Sequence, residues 1–342
     1  MPADPQAPAR ARVLSGVQPS GELHIGNWLG AVRTWAAQVA EQKEDLFFCI
    51  VDAHAITVEY DPAELRARID GMARDLVACG LDPERCTLFV QSDVREHTEL
   101  AWYLSGVTPM GDLERMTQYK EKSAGNPHVL VGIFTYPVLM AADILAYKAT
   151  IVPVGEDQLQ HLELARETVR RFNHRFGKVF PEPQPRLSSA PRIMGLDGQS
   201  KMSKSKGNSI GLFEEKDAFW NKLRGAFTDP ARLRRSDPGH PEICNIYTMH
   251  KALSTPEQVE LTRVECTTAQ RGCVDCKKIL MESFERELVP LRVRRDDAKP
   301  ERVREALADG AAKARRIARE TLREVRQVMG LGSGAPDLDR GE

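Results

Sequence analysis

The chain has 342 residues, 48 basic and 49 acidic, with a formal net charge of −1 and a hydrophobic fraction of 42%. That length exceeds one compact core of ordinary size and points to two domains. The balanced charge excludes a global pull toward nucleic acid, so any RNA binding must rest on a local patch.

No apolar run approaches the length needed to span a bilayer, and no membrane association is expected. Residues 1–12, rich in Pro, Ala and Arg, lack the apolar stretch of a signal peptide and read as a disordered tail. A cytoplasmic location follows as the expectation. In that setting the seven cysteines favour thiols or metal over disulfides.

The stretch 13–17 predicts a first strand, 18–23 a loop, and 25 to about 40 a helix. Residues 46–51 form a continuous apolar run, as a strand buried on both faces should. Asp61 and Pro62 supply an N-cap and an N1 proline for a helix running to Cys79. Residues 87–90 predict a third strand, 96–148 a largely helical stretch, 151–154 a further strand and 156–175 a helix. A link carrying Pro181, Pro183 and Pro185 leads to a predicted strand at 192–194 and a Lys-rich loop. Beyond Leu212 the apolar spacing is helical. The last long helix, 300–329, is expected to expose Lys313, Arg315, Arg316, Arg319, Arg323 and Arg326. Alternating strands and helices imply an α/β fold with a doubly wound, Rossmann-like parallel sheet, followed by an all-helical C-terminal domain. The expected division is 1–12 tail, 13–211 catalytic domain with a helical insertion, 212–331 helical domain, and 332–342 tail.

Ligands in such sheets sit at the carboxyl ends of the strands. The segment Pro19, Ser20, Gly21, Glu22, Leu23, His24, Ile25, Gly26, Asn27 lies just past the first strand and opens a helix. Its glycines allow close backbone approach, and free N–H groups at the helix start can meet phosphate oxygens. His24 can donate to the same group. Far downstream, Lys201, Met202, Ser203, Lys204 and Ser205 place two ammonium groups between Gly198 and Gly207. Together the two segments form a two-part clamp for a triphosphate. Ammonium groups so placed can stabilise negative charge that builds on phosphate oxygens in a transfer step.

Asp143 shares a helix face with Tyr136 and Met140, seven and three positions away. An ionised carboxylate in an apolar pocket offers what an indole needs: a greasy slot and one acceptor for its N–H. Gly155, Glu156, Asp157 and Gln158 follow a strand and open a helix, another place where backbone N–H groups face a ligand. Cys266, Cys273 and Cys276 have the spacing C-x₆-C-x₂-C, with Cys244 upstream in the same helical region. Four thiolates can close a tetrahedral Zn²⁺ site or hold a [4Fe–4S] cluster. Cys49, Cys79 and Cys86 sit in apolar segments and read as core.

The His24 and Lys201 segments resemble the HIGH and KMSKS signatures of class I aminoacyl-tRNA synthetases. From about Val13 to Leu331 the chain resembles the bacterial tryptophanyl-tRNA synthetases. The matching segments are 15–21, 24–27, 49–57, 114–118, 136–145, 152–161 and 201–205. The resemblance implies a tryptophan–tRNA ligase that forms tryptophanyl-adenylate and then charges tRNA(Trp). It implies ATP contacts at Gln18, Pro19, Ser20, Gly26, Asn27, Gly155, Glu156, Asp157, Ile193, Lys201, Met202, Ser203, Lys204 and Ser205. Catalysis would fall to Lys201, Lys204, His24 and Gln18. It implies L-tryptophan contacts at Asp143, Met140, Tyr136, His54, Val152, Val154 and Gln158. It further implies Mg²⁺ on the triphosphate, a homodimer, and tRNA bound across both subunits. Some members carry a [4Fe–4S] cluster on a similar cysteine set, which favours iron–sulfur over zinc at Cys244, Cys266, Cys273 and Cys276. Leu14 stands where many members place a Phe against the indole. Two other readings remain open at this level: a tyrosyl-tRNA synthetase, and a paralogue that no longer charges tRNA and acts as a binding or regulatory protein.

Overall fold

The computed structural model describes residues 10–124, 128–187, 193–204 and 206–333. The strands β1 (Arg12–Val17), β2 (Asp45–Ile50), β3 (Thr87–Val90), β4 (Ile151–Val154) and β5 (Gln184–Leu187) form a sheet in the order β3-β2-β1-β4-β5. All four ladders are parallel, with Arg12 opposite Asp45 and Val17 opposite Ile50 between β1 and β2. Parallel neighbours require crossovers, and helices supply them on both faces. The apolar run of β2 is divided between those faces. Leu46, Phe48 and Ile50 pack into one core, while Phe47 and Cys49 pack into the other. The strand order reverses between β1 and β4, so the carboxyl ends of these two strands flank the crevice.

Three elements differ from expectation. The fifth strand is Gln184–Leu187, inside the proline-rich link. It occupies a sheet edge, where Pro185 need not donate on both sides. The predicted strand at 192–194 is reduced to a single antiparallel bridge between Met194 and Lys201, and Arg192 lies outside the described residues. The helix expected from residue 25 is segmented into Ile25–Asn27, a π-helical turn Trp28–Val32, and Arg33–Glu41. Such π turns occur frequently at functional sites.

After β5 the described residues form helices and turns without a further ladder strand. The longest helix, Pro300–Met329, has proline in its first turn and ends at Gly330, whose φ of 68° suits glycine. It straddles the β3 edge of the sheet. Val303 and Leu307 join the first core, whereas Ala311, Ala314, Ala318, Leu322 and Val325 join the second. The crossing point is Gly310, where a Cβ would lie only 1.9 Å from the Leu88 carbonyl oxygen. Arg315 and Arg319, expected on the exposed side, turn inward to the buried Glu96 carboxylate at 3.4 and 2.9 Å. A buried carboxylate without a cation would be costly, so the pairing dominates over the solvation of the two guanidiniums. Cys49, Cys79 and Cys86 are buried in the core, as expected.

Candidate active site

The loop after β1 and the Lys-rich loop meet. Ile25 N donates to the Ile210 carbonyl at 3.0 Å and Leu212 N to the Leu23 carbonyl at 2.8 Å. Gly21 has a φ of 131°, and its missing Cβ leaves space that the Lys204 ammonium occupies, 3.0 Å from where that carbon would be. Lys204 also lies 4.0 Å from Glu22. Gly26 is closed in by the His24 ring and by Met202, so the two segments touch through these residues as well.

His24 caps the short helix that it opens. Its Nδ1 accepts from Asn27 N at 3.2 Å, and the Asn27 side-chain oxygen accepts from His24 N at 3.0 Å. Because Nδ1 accepts, the proton of the neutral ring sits on Nε2. Burial, reinforced by the charges of Lys204 and Lys201, pushes the imidazole down to about 4. Burial also lowers the Lys204 ammonium from its usual range. His24 is therefore a neutral donor near pH 7, set among cations.

The shape of the Lys-rich loop comes from residues that sequence inspection missed. Asn208 is buried; its side-chain oxygen accepts from Ser203 N at 2.8 Å, and its amide donates to Asp197 at 2.9 Å and to Ser200 Oγ at 3.1 Å. Gly198 and Gly207, with φ of 68° and 65°, supply its turns. Met202 is buried as the apolar anchor between two exposed lysines. An alternation of buried Met202 and Ile210 around a polar loop was the available signal for this anchoring. Ile193 is buried at the loop's start, and Met202 N donates to its carbonyl at 3.3 Å. Ser205 lies outside the described residues. Gln18 and Ser20 form the exposed turn after β1, Ser20 N donating to the Gln18 carbonyl at 2.8 Å, with Pro19 buried between them. Across the crevice, Gly155, Glu156 and Asp157 are exposed after β4, and Gln158 donates to Asp157 at 3.1 Å.

A second constellation surrounds Asp143, which is 4% exposed on the helix Val131–Ala146. Its carboxylate accepts from Gln91 Nε2 at 2.8 Å on both oxygens, and His54 Nε2 lies 2.9 Å from Oδ2. The Tyr136 hydroxyl is 2.5 Å from His161 Nε2, and the Tyr136 ring stands edge-on to His54 with centroids 6.1 Å apart. Burial raises the Tyr136 phenol to about 12, so it stays protonated. Val152 and Val154 are buried in β4 beneath this group, and Met140 is half-buried on the same helix as Asp143. Gln91 and His97 were not anticipated. The signal for Gln91 was its position immediately after the carboxyl end of β3.

Cys244, Cys266, Cys273 and Cys276 line one small pocket together with Asp229, Arg232 and Arg271. Burial raises the thiols of Cys244 and Cys266, and that of Cys276 to about 12. Arg232 Nη1 lies 3.9 Å from Cys266 Sγ, and His250 Nε2 lies 3.4 Å from Cys276 Sγ. Among the described residues no three His, Cys, Asp or Glu side chains are gathered closely enough to hold a metal ion. The four cysteines expected as ligands thus line one pocket, and a four-ligand metal centre is not shown.

With this geometry in hand, likeness to known proteins is informative. A family model described as tRNA synthetases class I (W and Y) matches residues 6–289. The tryptophan–tRNA ligase of Deinococcus radiodurans is 51% identical over 326 residues, covering 94% of this chain and 99% of that protein. The tryptophan–tRNA ligase of Thermotoga maritima is 46% identical over 328 residues, with 94% and 99% covered. The Campylobacter jejuni tryptophanyl-tRNA synthetase, solved in complex with ADP and tryptophan, superposes with a TM-score of 0.84 at 36% identity. That match covers 94% of this chain and 100% of that one. The chain belongs to the class I tRNA synthetases of the tryptophan and tyrosine family.

Proposed function

From that membership we infer that this chain is a tryptophan–tRNA ligase. It activates L-tryptophan with ATP, giving tryptophanyl-adenylate and pyrophosphate, and transfers the tryptophanyl group to tRNA(Trp). A carboxylate oxygen of tryptophan attacks the α-phosphorus, and the bond to the bridging oxygen of pyrophosphate breaks. A terminal ribose hydroxyl of tRNA then attacks the acyl carbon and AMP leaves. No covalent enzyme intermediate is required.

Lys204 carries this reading: its ammonium lies over Gly21, beside a neutral His24 whose Nε2–H is available to a phosphate oxygen. Lys201 and Lys204 stabilise the leaving pyrophosphate, and His24 and Gln18 orient the triphosphate. The remaining nucleotide contacts are Pro19, Ser20, Gly26, Asn27, Gly155, Glu156, Asp157, Ile193, Met202, Ser203 and Ser205. Mg²⁺, when bound, neutralises triphosphate charge. Asp143 accepts from the indole N–H, and Met140, Tyr136, His54, Val152, Val154 and Gln158 complete the amino-acid pocket. Residues 13–211 act as the catalytic domain and 212–331 bind the anticodon arm of tRNA, in a cytoplasmic homodimer. No helix among the described residues is long and apolar enough to cross a membrane.

For the cysteine pocket we propose a structural soft-metal site, a [4Fe–4S] cluster ahead of Zn²⁺. The donor set supports it, because four thiols share one pocket, where the charges of Arg232 and Arg271 oppose the rise that burial imposes on Cys266 and Cys276. The group would brace the helices that carry the cysteines.

Tryptophan-dependent ATP–pyrophosphate exchange, followed by charging of tRNA(Trp), tests the function. Exchange with tryptophan and none with tyrosine is expected. Exchange driven by tyrosine, or no exchange with either amino acid, overturns the reading; exchange without charging points to a paralogue that binds and does not ligate.

A further inference from the structure

We propose that Gln91 and His97 are positioning residues that aim the Asp143 carboxylate, and that His54 holds the place on Asp143 Oδ2 that the indole N–H takes when tryptophan binds. This rests on the reading of Asp143 as the indole acceptor. Three side chains surround the carboxylate, and they differ in access. Gln91 and His97 are each 1% exposed, whereas the His54 side chain is 14% exposed, beside Tyr136. Two partners therefore stand behind Asp143 and one stands in front.

The rear partners are themselves fixed. The Gln91 carbonyl oxygen accepts from Ala53 N at 3.1 Å, which leaves its NH₂ pointing at both Asp143 oxygens. That bond also ties Asp143 to the short helix Asp52–Ala55, which carries His54. His97 Nε2 lies 2.5 Å from the buried Tyr147 hydroxyl, and Nδ1 lies 3.1 Å from Asp143 Oδ1, off the line that a hydrogen bond requires. When Tyr147 donates to Nε2, the proton sits on Nδ1 and faces the carboxylate. The opposite tautomer would set a lone pair against it. Tyr147 thus selects the tautomer that attracts Asp143. Glu96, next to His97, is held by Arg315 and Arg319, which anchors the segment from outside.

In front, the exchange keeps Oδ2 supplied with a donor: the His54 N–H leaves it for solvent and the indole N–H replaces it. A ligand of the same shape without an N–H would either clash with His54 or displace it and leave Oδ2 one donor short, with the Gln91 amide still on it. Selectivity for the indole N–H then comes from the rear partners holding Oδ2 in place and from the front partner having to be displaced.

β-(3-Benzothienyl)alanine, in which sulfur replaces the indole N–H, separates these roles. Its Kd and that of tryptophan are measured for the wild-type protein and four variants. Wild type should favour tryptophan by about tenfold or more. Gln91→Met should remove most of that preference. Tyr147→Phe, which deletes a single hydroxyl and is the gentler change, should reduce it about threefold. His54→Ala should tighten binding of the sulfur analogue relative to tryptophan. If Asp143→Ala keeps the wild-type preference, the acceptor reading itself fails. If Asp143→Ala abolishes the preference while Gln91→Met and Tyr147→Phe retain it, the positioning proposal alone is overturned. Equal weakening of both ligands by Gln91→Met would mean a merely structural role and would likewise overturn it.

Discussion

Gly310→Ala sets two well-defined effects against each other. Within a helix, alanine is favoured over glycine by about 1 kcal/mol. At this position, however, the new methyl carbon would sit 1.9 Å from the Leu88 carbonyl oxygen and 2.8 Å from its carbon. Ordinary contact is near 3.5 Å, so the helix Pro300–Met329 would have to retreat by roughly 1.5 Å. Backbone cannot rotate aside as a side chain can, and the retreat loosens Leu307 in one core and Ala311 in the other. Overpacking of this kind costs about 1–3 kcal/mol, and the rigid neighbour places it at the upper end. Net destabilisation of about 1–2 kcal/mol should remain after the propensity gain, lowering the Tm by roughly 1–3 °C. Because β3 runs into Gln91, tryptophan affinity should fall as well. Thermal unfolding, with the exposed neighbour Asp309→Ala as control, reads the first effect, and tryptophan titration reads the second. A Gly310→Ala protein that melts at or above the wild-type temperature would refute the crossing geometry.

Lys204→Ala should slow adenylate formation by about 10²–10³-fold in single-turnover kinetics, with a smaller change in tryptophan Kd; an unchanged rate removes Lys204 from the mechanism. His24, held down to about 4, stays neutral at higher pH, so its ionisation should put no inflection in adenylation between pH 5 and 8. Lys204→Ala removes one of the causes and should move the His24 titration, followed by NMR, toward its ordinary value. The unfolded chain binds that proton near 6.5 and the folded chain only near 4, so His24 costs stability as pH falls through that window. Acid unfolding of His24→Gln should accordingly show less loss between those values. Anaerobically purified protein should be brown and contain iron and acid-labile sulfide, and Cys273→Ser should lower both. A colourless protein with one Zn²⁺ per chain, or with neither metal, would refute the cluster.

Local residue patterns specified the parallel sheet and singled out the two segments proposed as the phosphate clamp. Apolar runs at 46–51 and 87–90, short and set between helical stretches, fit strands buried on both faces, and glycines beside His24 and the lysine pair suit both tight turns and close approach to a ligand. The same patterns also singled out Asp143, because a carboxylate on an apolar helix face needs a hydrogen-bonding partner. The sequence did not reveal what stands behind Asp143. Gln91 and His97 are 52 and 46 residues distant along the chain, and only the parallel register of β3 beside β2 brings the β3 end under that helix. Nor did it reveal that Arg315 and Arg319 face inward. Helical periodicity places them on a polar stripe, and the buried Glu96 that draws them in comes from another part of the chain. The edge strand at Pro185 and the broken helix after residue 25 were hidden for the same reason. Local propensity was outweighed there by the need to close a sheet edge and to seat Trp28 and Arg33 against Glu287. Periodicity and residue chemistry are local quantities, whereas partner choice for a buried polar group depends on which distant segments the fold brings within about 3 Å of it.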